Sequence, residues 1–291
     1  MRFPNYFADA EKGFKDSKYV LFGVPYDETG SFRRGTKKAP HEIRQASWNF
    51  EPYDLLTGVD LRDVRLHDYG DLEIGAGDDP SRMKKEVKGF VHRILDNKKV
   101  PIAIGGEHTI TVPIVGAFAE AEEDFVVVAL DAHLDFKDVY ENNPESHACV
   151  IRRLSEILGV ENIAILGVRS GTREEFKEGE KSGLLYVNSF EMKQNGVKWA
   201  VKRVLQRFSG RKIYLTLDVD VIDPAYAPGV STPEPFGISQ FDVLECIKAF
   251  ASHTVGMDIV EVCPPYDKGE TSLLAAKIIR FAIGELWKHN P

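Results

Sequence analysis

The chain has 291 residues, of which 43% are hydrophobic and 28% are charged, a composition typical of a globular protein with ample apolar residues for a core. Its formal net charge of −8 argues against a nucleic-acid-binding surface and mildly favours small cationic or neutral ligands. The three cysteines form no CxxC pair, the N-terminus has no signal pattern and no apolar run is of membrane length, which together predict a cytoplasmic protein with reduced thiols and no membrane segment.

The predicted elements alternate between short apolar strands and longer amphipathic helices. Eight strands are predicted, in chain order, at residues 19–24, 63–69, 100–104, 125–130, 163–168, 184–187, 212–217 and 254–260. Helical patterns cover residues 80–99, 198–208, 239–251 and 272–288. Such alternation is typical of a parallel sheet covered by helices, here in one domain that spans residues 1–291. Pattern alone allows either an open sheet or a closed eight-stranded barrel.

In the segment FVVVALDAHLD, residues 125–135, a buried strand is followed directly by two acids with a histidine between them. Asp131, His133 and Asp135 occupy every second position, and alternate positions of an extended chain point to the same side. We therefore expect these three side chains to converge at the end of the strand. Because crowded carboxylates repel one another, a positive charge is expected among them.

Two further strands end in residues of the same kind. The strand KIYLTL continues into Asp218 and Asp220, and the strand VPIAI continues into the sequence GGEH, which ends in His108. The two glycines permit a sharp turn that can aim His108 across the strand ends. Because ligands of parallel α/β folds lie beyond the carboxyl ends of the strands, all of these side chains should meet at one edge of the sheet.

These segments together offer two histidines and four aspartates as metal ligands: His108, Asp131, His133, Asp135, Asp218 and Asp220. One structural zinc ion takes four ligands rich in Cys and His, and calcium and magnesium rarely recruit imidazole. Carboxylates with some histidine suit manganese, ferrous iron or zinc, and two ions about 3.5–4 Å apart would use all six ligands. Two such ions can activate a shared water as a nucleophile, which predicts a dinuclear metallohydrolase.

The three metal-type segments resemble the signatures of the ureohydrolase family, the group of the arginases and agmatinases. They are GGEH at 105–108, LDAHLD at 130–135 and TLDVDVIDPAYAPGVSTPEPFG at 216–237. Two more segments, 22–47 and 256–278, are similar to the N-terminal and C-terminal segments of the family, so the resemblance covers nearly the whole chain. It implies a three-layer α-β-α fold with an open eight-stranded parallel sheet. The family more often has GGDH than GGEH, but Glu107 is not an implied ligand.

The resemblance implies two manganese ions per subunit. The first ion is assigned to His108, Asp131, Asp135 and Asp218. The second ion is assigned to His133, Asp131, Asp218 and Asp220, so that Asp131 and Asp218 bridge the pair. A homo-oligomer, either a trimer or a hexamer, is implied as well.

The resemblance also assigns the residues that handle a guanidinium substrate. Glu261, which follows the strand 254–260, would match the forked N–H geometry of a guanidinium. His147 would carry a proton to the leaving amine, and Asp135 would accept a hydrogen bond from the nucleophile and pass its proton on. Thr232 and His147 are implied substrate contacts beside Glu261.

The loop that follows LDAHLD, with the sequence FKDVYENNPESHACVIRR, indicates which guanidine is the substrate. It lacks the hydroxyl-rich run with which arginases hold the amino-acid part of arginine, and it is similar to the agmatinase version. The predicted reaction is the hydrolysis of agmatine to putrescine and urea, a step of polyamine biosynthesis. Asp138, Glu141 and Glu145 would suit the ammonium tail of such a substrate.

Several alternatives stay open at this point. Within the family, the substrate could instead be N1-aminopropylagmatine, guanidinobutyrate or arginine. From a different class, the chain could be a non-catalytic, metal-loaded protein that binds guanidines or amines, although the intact set of ligands, His147 and Glu261 argues against that reading. Arg33 and Arg34 either line the mouth of the site or pair structurally.

Overall fold

The computed structural model describes residues 3–74, 77, 80–121 and 124–291. The strands of this part of the chain are β1 Tyr19–Val24, β2 Tyr53–Asp54, β3 Val59–Asp60, β4 Leu66–Asp71, β5 Val100–Gly105, β6 Phe125–Leu130, β7 Ile163–Val168, β8 Leu185–Asn188, β9 Lys212–Asp218 and β10 Thr254–Val260. The α-helices are α1 Ala39–Ser47, α2 Pro80–Asp96, α3 Thr111–Glu120, α4 Val150–Leu158, α5 Arg173–Ser182, α6 Ser189–Asn195, α7 Val197–Arg207, α8 Gln240–Phe250 and α9 Glu270–His289. None of these helices combines the length and the apolar composition that a membrane crossing requires.

Eight of the strands form one parallel sheet in the order β4-β1-β5-β10-β9-β6-β7-β8. Because β4 and β8 each have a neighbour on one side only, the sheet is open, and the closed barrel is wrong. The short strands β2 and β3 form a separate antiparallel pair. The predicted three-layer fold with an open eight-stranded sheet is confirmed.

Alternate residues of each strand pack into two different cores, one on each face of the sheet. In β6, Val126 and Val128 belong to the core that includes side chains of α1 and α6–α9. The intervening residues Val127 and Ala129 belong to the core that includes side chains of α2, α3 and α4. A strand covered on both faces buries every side chain, which explains why the sequence shows continuous apolar runs rather than alternation.

The strand register brings four chain segments together at one edge of the sheet. The central strands β5, β10, β9 and β6 are neighbours, and Leu217 of β9 is aligned with Ile259 of β10 on one side and with Leu130 of β6 on the other. Ile259 is in turn aligned with Ile104 of β5. The residues that follow these four strands therefore start side by side.

A buried ion pair connects α1 to the edge strand β4. Arg44 donates two hydrogen bonds to the Asp68 carboxylate, from Nε at 2.7 Å and from a terminal nitrogen at 3.0 Å, and it also donates to Asp71. The side chains of Arg44 and Asp68 have no exposed surface. A bidentate pair of this kind is a strong contact, but each ion depends on the other because water cannot solvate either.

We expect Arg44→Met to lower the free energy of unfolding by about 3–5 kcal/mol, because it leaves a carboxylate buried without its partner. Arg62→Met is the matched control, since the Arg62 side chain is 68% exposed and pairs with Asp60 at the surface. Its cost should be small, because an exposed ion pair contributes little to stability. Chemical denaturation of both variants checks this difference, and equal losses would contradict the role of the buried pair.

Candidate metal centre and active site

The residues after β6 reach the site from a loop, not from the strand. The strand ends at Leu130, and Asp135 has a left-handed backbone with φ of 48°. Asp131 and Asp135 each place an Oδ2 atom 3.2 Å from Nδ1 of His108, whereas His133 places Nδ1 2.9 Å from Asp220. The predicted convergence is present. Parallel pairing continues to His133, which bridges Ser170, but it does not reach Asp135, so strand alternation does not explain the direction of that side chain.

The glycines of the GGEH segment serve close packing and not a positive-φ turn. Neither Gly105 nor Gly106 has a left-handed φ. A Cβ atom on Gly106 would lie 1.9 Å from the carbonyl oxygen of Tyr26, and one on Gly105 would lie 2.7 Å from a methyl carbon of Val260. Only glycine fits at position 106, because the atoms in the way are backbone, whereas at position 105 they are side-chain atoms. His108 therefore lies two residues beyond a backbone held tightly against the Tyr26 segment.

The carboxylates after β9 are held by hydrogen bonds from backbone and side-chain groups. Asp218 accepts from the N–H of Asp220 at 2.9 Å, which caps a short helical turn. Asp220 accepts from the N–H of Ala132 at 3.2 Å and from the hydroxyl of Thr232 at 3.1 Å. The loops after β6 and β9 are thereby tied to each other.

The predicted ligands form two groups that share one residue. Within the described residues, His108, Asp131 and Asp218 make one group and Asp131, His133 and Asp220 make the other. In each group the possible ligand atoms lie within 4.8 Å of one another. The structure therefore brings together all six predicted ligands, with Asp131 between the groups and Asp135 beside the first.

The pKa values of these acids shift upward through burial and mutual repulsion and downward through a neighbouring histidine. Burial, with the charge of Asp135, raises the pKa of Asp131 to about 7. Burial, with the charge of Asp220, raises the pKa of Asp218 well above its ordinary value. Burial would also raise the pKa of Asp220, but the neighbouring His133 lowers it to about 2. The cluster has an excess of negative charge that protons or a bound cation must balance.

Two observations fit this cluster to a metal. The Oδ2 atom of Asp131 is buried and makes no hydrogen bond of good geometry, although it lies 3.2 Å from Nδ1 of His108. On the far side of His108, Nε2 lies 3.0 Å from the hydroxyl of Thr216, which donates to Asp258 at 2.6 Å. Because the Thr216 hydrogen is used in that bond, its oxygen accepts from Nε2–H, which leaves Nδ1 free to bind a cation among the carboxylates.

A cavity of about 190 Å³ adjoins the metal-ligand groups. Its lining includes three of the predicted ligands and all three predicted substrate contacts; the residues are Ser31, His133, Asp135, Lys137, Tyr140, His147, Ala148, Asp218, Thr232 and Glu261. The cavity is lined mainly by polar side chains and is suited to a small polar molecule.

Glu261 is a buried carboxylate and not a solvated loop acid. It has a left-handed φ of 66°, and its Oε1 atom accepts from the N–H of His108 at 2.7 Å while Oε2 accepts from the hydroxyl of Ser231. Burial raises its pKa to about 7, against the opposing effect of the Ser231 hydrogen bond. A cationic group bound in the cavity would stabilise the ionised form of this acid.

His147 lies outside the three metal-type segments of the sequence, but it lines the same cavity. It begins a short helical turn, His147–Cys149, and each ring nitrogen lies near a hydroxyl: Nδ1 is 3.3 Å from Thr29 and Nε2 is 3.2 Å from Ser31. Tyr140 meets the imidazole edge-on at 6.0 Å between ring centroids. His147 is therefore held by residues far from it in sequence.

Comparison with known proteins agrees with this geometry. A sequence model of the arginase family matches residues 17–284. The chain belongs to the arginase family. Family relatives include an agmatinase of Halalkalibacterium halodurans, 38% identical over 94% of each chain, and an N(1)-aminopropylagmatine ureohydrolase of Thermococcus kodakarensis, 35% identical over 94% of this chain and 92% of the relative. The solved agmatine ureohydrolase of Thermoplasma volcanium superposes with a TM-score of 0.93 at 41% identity and covers 99% of this chain and 96% of its own.

Some residues of this family member lie where sequence reasoning did not place them. Asp138 pairs with Arg153 at 2.7 Å and Glu145 pairs with Lys84, and neither acid lines the cavity, nor does the exposed Glu141. The expectation that these three acids hold an ammonium tail is wrong.

The open question about Arg33 is answered by its contacts. Arg33 donates to the carbonyl groups of Pro228 at 2.9 Å and Val230 at 3.2 Å and lies over the ring of Tyr266. It supports the loop that carries Ser231 and does not line the cavity. Its role is structural.

Sequence reasoning also missed Thr29, Ser31 and Asp258. The first two lie in a segment that resembles the family, but nothing local distinguishes their hydroxyls from those of other loops. Asp258 did carry a signal, because a carboxylate inside the apolar run TVGMDIV must find partners in the core. It accepts hydrogen bonds from Tyr214, Thr216 and Thr111.

The pH dependence of stability tests the crowding of these acids. Because the pKa of Asp131 is raised from 3.8 to about 7, folding favours its protonated form, and its contribution to stability decreases as the pH rises through that interval. We expect Asp131→Asn, kept free of metal by a chelator, to be more stable relative to the native protein at pH 8 than at pH 5. Added manganese should raise the melting temperature of the native protein and raise that of the variant much less.

Asp138→Asn is the control, because Asp138 is an exposed acid outside the cluster. Its difference from the native protein should change little between the two pH values. An Asp131→Asn variant that loses stability at pH 8 compared with pH 5, or that is stabilised by manganese as much as the native protein, would contradict the interpretation of the cluster.

Proposed function

We propose that this protein hydrolyses agmatine to putrescine and urea with the help of two manganese ions. The observation that carries the proposal is the cavity in which the buried Glu261 carboxylate shares its lining with ligands of both metal groups. Membership of the arginase family and the agmatinases among its relatives support the same reaction.

The residues that would hold the two ions are those of the predicted assignment. His108, Asp131, Asp135 and Asp218 would hold one ion, and His133, Asp131, Asp218 and Asp220 the other. When bound, a pair of such ions supplies positive charge and an activated water as nucleophile.

Glu261 would bind the guanidinium group of the substrate. Its two oxygens are fixed by the His108 N–H and the Ser231 hydroxyl, so that its remaining lone pairs are held in a constant direction. A guanidinium offers parallel N–H donors that match a carboxylate, and the burial of Glu261 strengthens this attraction. Thr232 lines the same cavity and would be a further contact.

His147 and Asp135 would move protons during the reaction. Both line the cavity, and Asp135 lies beside His108. Asp135 would take the nucleophile's proton and pass it to the departing nitrogen, and His147 would protonate the amine as it leaves. An imidazole titrates near neutral pH and suits such a transfer.

The charges of the cavity favour an ammonium-tailed guanidine over one with a carboxylate. Lys137 is the basic side chain on the lining besides the histidines, and it already pairs with Glu175 at 2.8 Å. Within the described residues, the cavity lining thus offers no free lysine or arginine to a substrate carboxylate. This argues against arginine and guanidinobutyrate.

N1-aminopropylagmatine is the second candidate substrate, because a relative at 35% identity carries that activity in its name. It shares the guanidinium end and the cationic character of agmatine, so the same contacts would bind it. The assembly as a trimer or hexamer, the cytoplasmic location and the organisation as a single domain stay predictions.

We expect the manganese-loaded protein to release urea from agmatine or N1-aminopropylagmatine and, under the same conditions, little or none from arginine and guanidinobutyrate. Glu261→Gln should lower kcat/KM by roughly 30-fold or more, since truncating one partner of a buried charge pair costs about 2–5 kcal/mol. Asp138→Asn is the control and should leave kcat/KM nearly unchanged.

Colorimetric measurement of urea, together with the metal content of each preparation, decides the outcome. Urea released chiefly from arginine or guanidinobutyrate would overturn the proposed substrate. A protein that binds two manganese ions and releases urea from none of the four guanidines would overturn the proposed function.

A further inference from the structure

Glu107 belongs to the GGEH segment but directs its carboxylate to residues other than the metal ligands. It is almost completely buried, and it accepts the N–H of Thr29 at 2.7 Å and the hydroxyl of Thr29 at 2.8 Å. It also accepts the hydroxyl of Thr109 at 2.6 Å. The Thr29 oxygen in turn contacts His147 twice, from the backbone N–H at 3.0 Å and from ring Nδ1 at 3.3 Å.

We propose that Glu107 and Thr29 are positioning residues that fix the tautomer of His147, with the proton of the neutral ring on Nδ1 and the free lone pair on Nε2. The inference rests on the proposed function for its catalytic consequence, but the hydrogen-bond argument stands on the contacts alone. It assigns a role to Glu107, the acid of the GGEH segment, which is not one of the predicted metal ligands.

The argument follows from the single hydrogen that a hydroxyl can donate. A carboxylate only accepts, so Thr29 uses its hydrogen in the bond to Glu107. The oxygen of Thr29 then accepts two hydrogen bonds from His147, one from its backbone N–H and one from its ring. For the ring contact to be a hydrogen bond, Nδ1 must carry the proton.

The other polar contacts of the imidazole permit this assignment, because a serine hydroxyl can either donate or accept. Ser146 lies farther from Nδ1, at 3.4 Å, and its oxygen accepts from the N–H of Ala148. Ser31 lies 3.2 Å from Nε2 and, like His147, lines the cavity. The nitrogen without a proton is therefore the one that faces Ser31, and Nε2 is the atom that can gain and release a proton there.

Three variants test the assignment. Thr29→Val keeps the shape of the side chain and removes the hydroxyl, whereas Thr29→Ser keeps the hydroxyl. Glu107→Gln keeps the size of the acid, but the Thr29 N–H holds the amide oxygen in place, so the amide NH₂ faces the Thr29 hydroxyl. The hydroxyl hydrogen is then free to donate to Nδ1, which favours the opposite tautomer.

The first readout is the tautomer itself, measured by nitrogen NMR of the full-length protein labelled at histidine and kept free of paramagnetic manganese. His147→Asn identifies the signals by their loss. We expect the proton on Nδ1 in the native protein and in Thr29→Ser, and a shift toward Nε2 in Thr29→Val and in Glu107→Gln. An unchanged tautomer in a folded Thr29→Val or Glu107→Gln variant would overturn the proposal, as would a native protein with the proton on Nε2.

The second readout is the kinetics of the manganese-loaded variants with verified metal content. Thr29→Val should lower kcat by roughly 10- to 100-fold and change KM by less than about 2-fold. The loss in kcat is part of the roughly 10²–10⁴-fold that a positioned acid or base contributes. Thr29→Ser should restore most of kcat. A loss in Thr29→Ser as large as that in Thr29→Val would contradict the role of the hydroxyl.

The two proposals fail in distinguishable ways. If the native protein releases no urea from any guanidine, the proposed function is wrong, and the NMR measurement still decides whether Glu107 and Thr29 set the tautomer. If urea is released normally but the tautomer does not respond to the variants, only this further inference is wrong.

Discussion

The structure depends on the crowding of carboxylates that are almost completely removed from solvent. Asp131, Asp135, Asp218 and Asp220 are all buried at one edge of the sheet, with two imidazoles as the nearby basic groups of the cluster. Removing charged groups from water costs several kcal/mol per ion unless opposite charge is close. The cluster is therefore a site that favours a cation strongly, and the carboxylate of Glu261, which is buried on the adjoining cavity, favours a cationic ligand there for the same reason.

The rest of the fold serves to hold these groups in place. Continuous apolar strands bury both faces of the sheet, so that the ends of β5, β10, β9 and β6 are fixed by two cores. Close backbone packing at Gly106 and left-handed conformations at Asp135 and Glu261 then aim individual side chains. A left-handed backbone at a residue other than glycine costs on the order of 1–3 kcal/mol and persists only where the surroundings enforce it. The strained residues of the site are thus those whose direction matters to the chemistry.

The convergence of the candidate ligands could be predicted from the sequence because parallel strands end at the same edge, whatever the details of the loops. The reasons given for their convergence were less reliable. Strand alternation does not extend to Asp135, which turns into a left-handed conformation, and Gly106 is required by a contact with the Tyr26 backbone that only the folded chain reveals. The prediction for the three acids of the substrate tail was wrong for a similar reason, since Asp138 pairs with Arg153 and Glu145 pairs with Lys84.

The supporting residues of the site depend on contacts between distant segments, which a local pattern does not encode. Thr29 meets Glu107 and His147 across separations of 78 and 118 residues, and His108 meets Thr216 across 108 residues. Nδ1 of His108 faces the carboxylates while its Nε2 meets Thr216, and Nε2 of His147 faces Ser31 while its Nδ1 meets Thr29. A sequence can indicate that both histidines belong to the site, but the nitrogen that each one presents depends on contacts that only the fold reveals.

The most direct test of this account is anomalous diffraction at the manganese edge from crystals of the metal-loaded protein. The account predicts two peaks per chain that share Asp131, one beside His108 and one beside His133. A single peak, or metal bound without contact to Asp131, would contradict the central claim that this cluster of buried acids is a dinuclear metal centre.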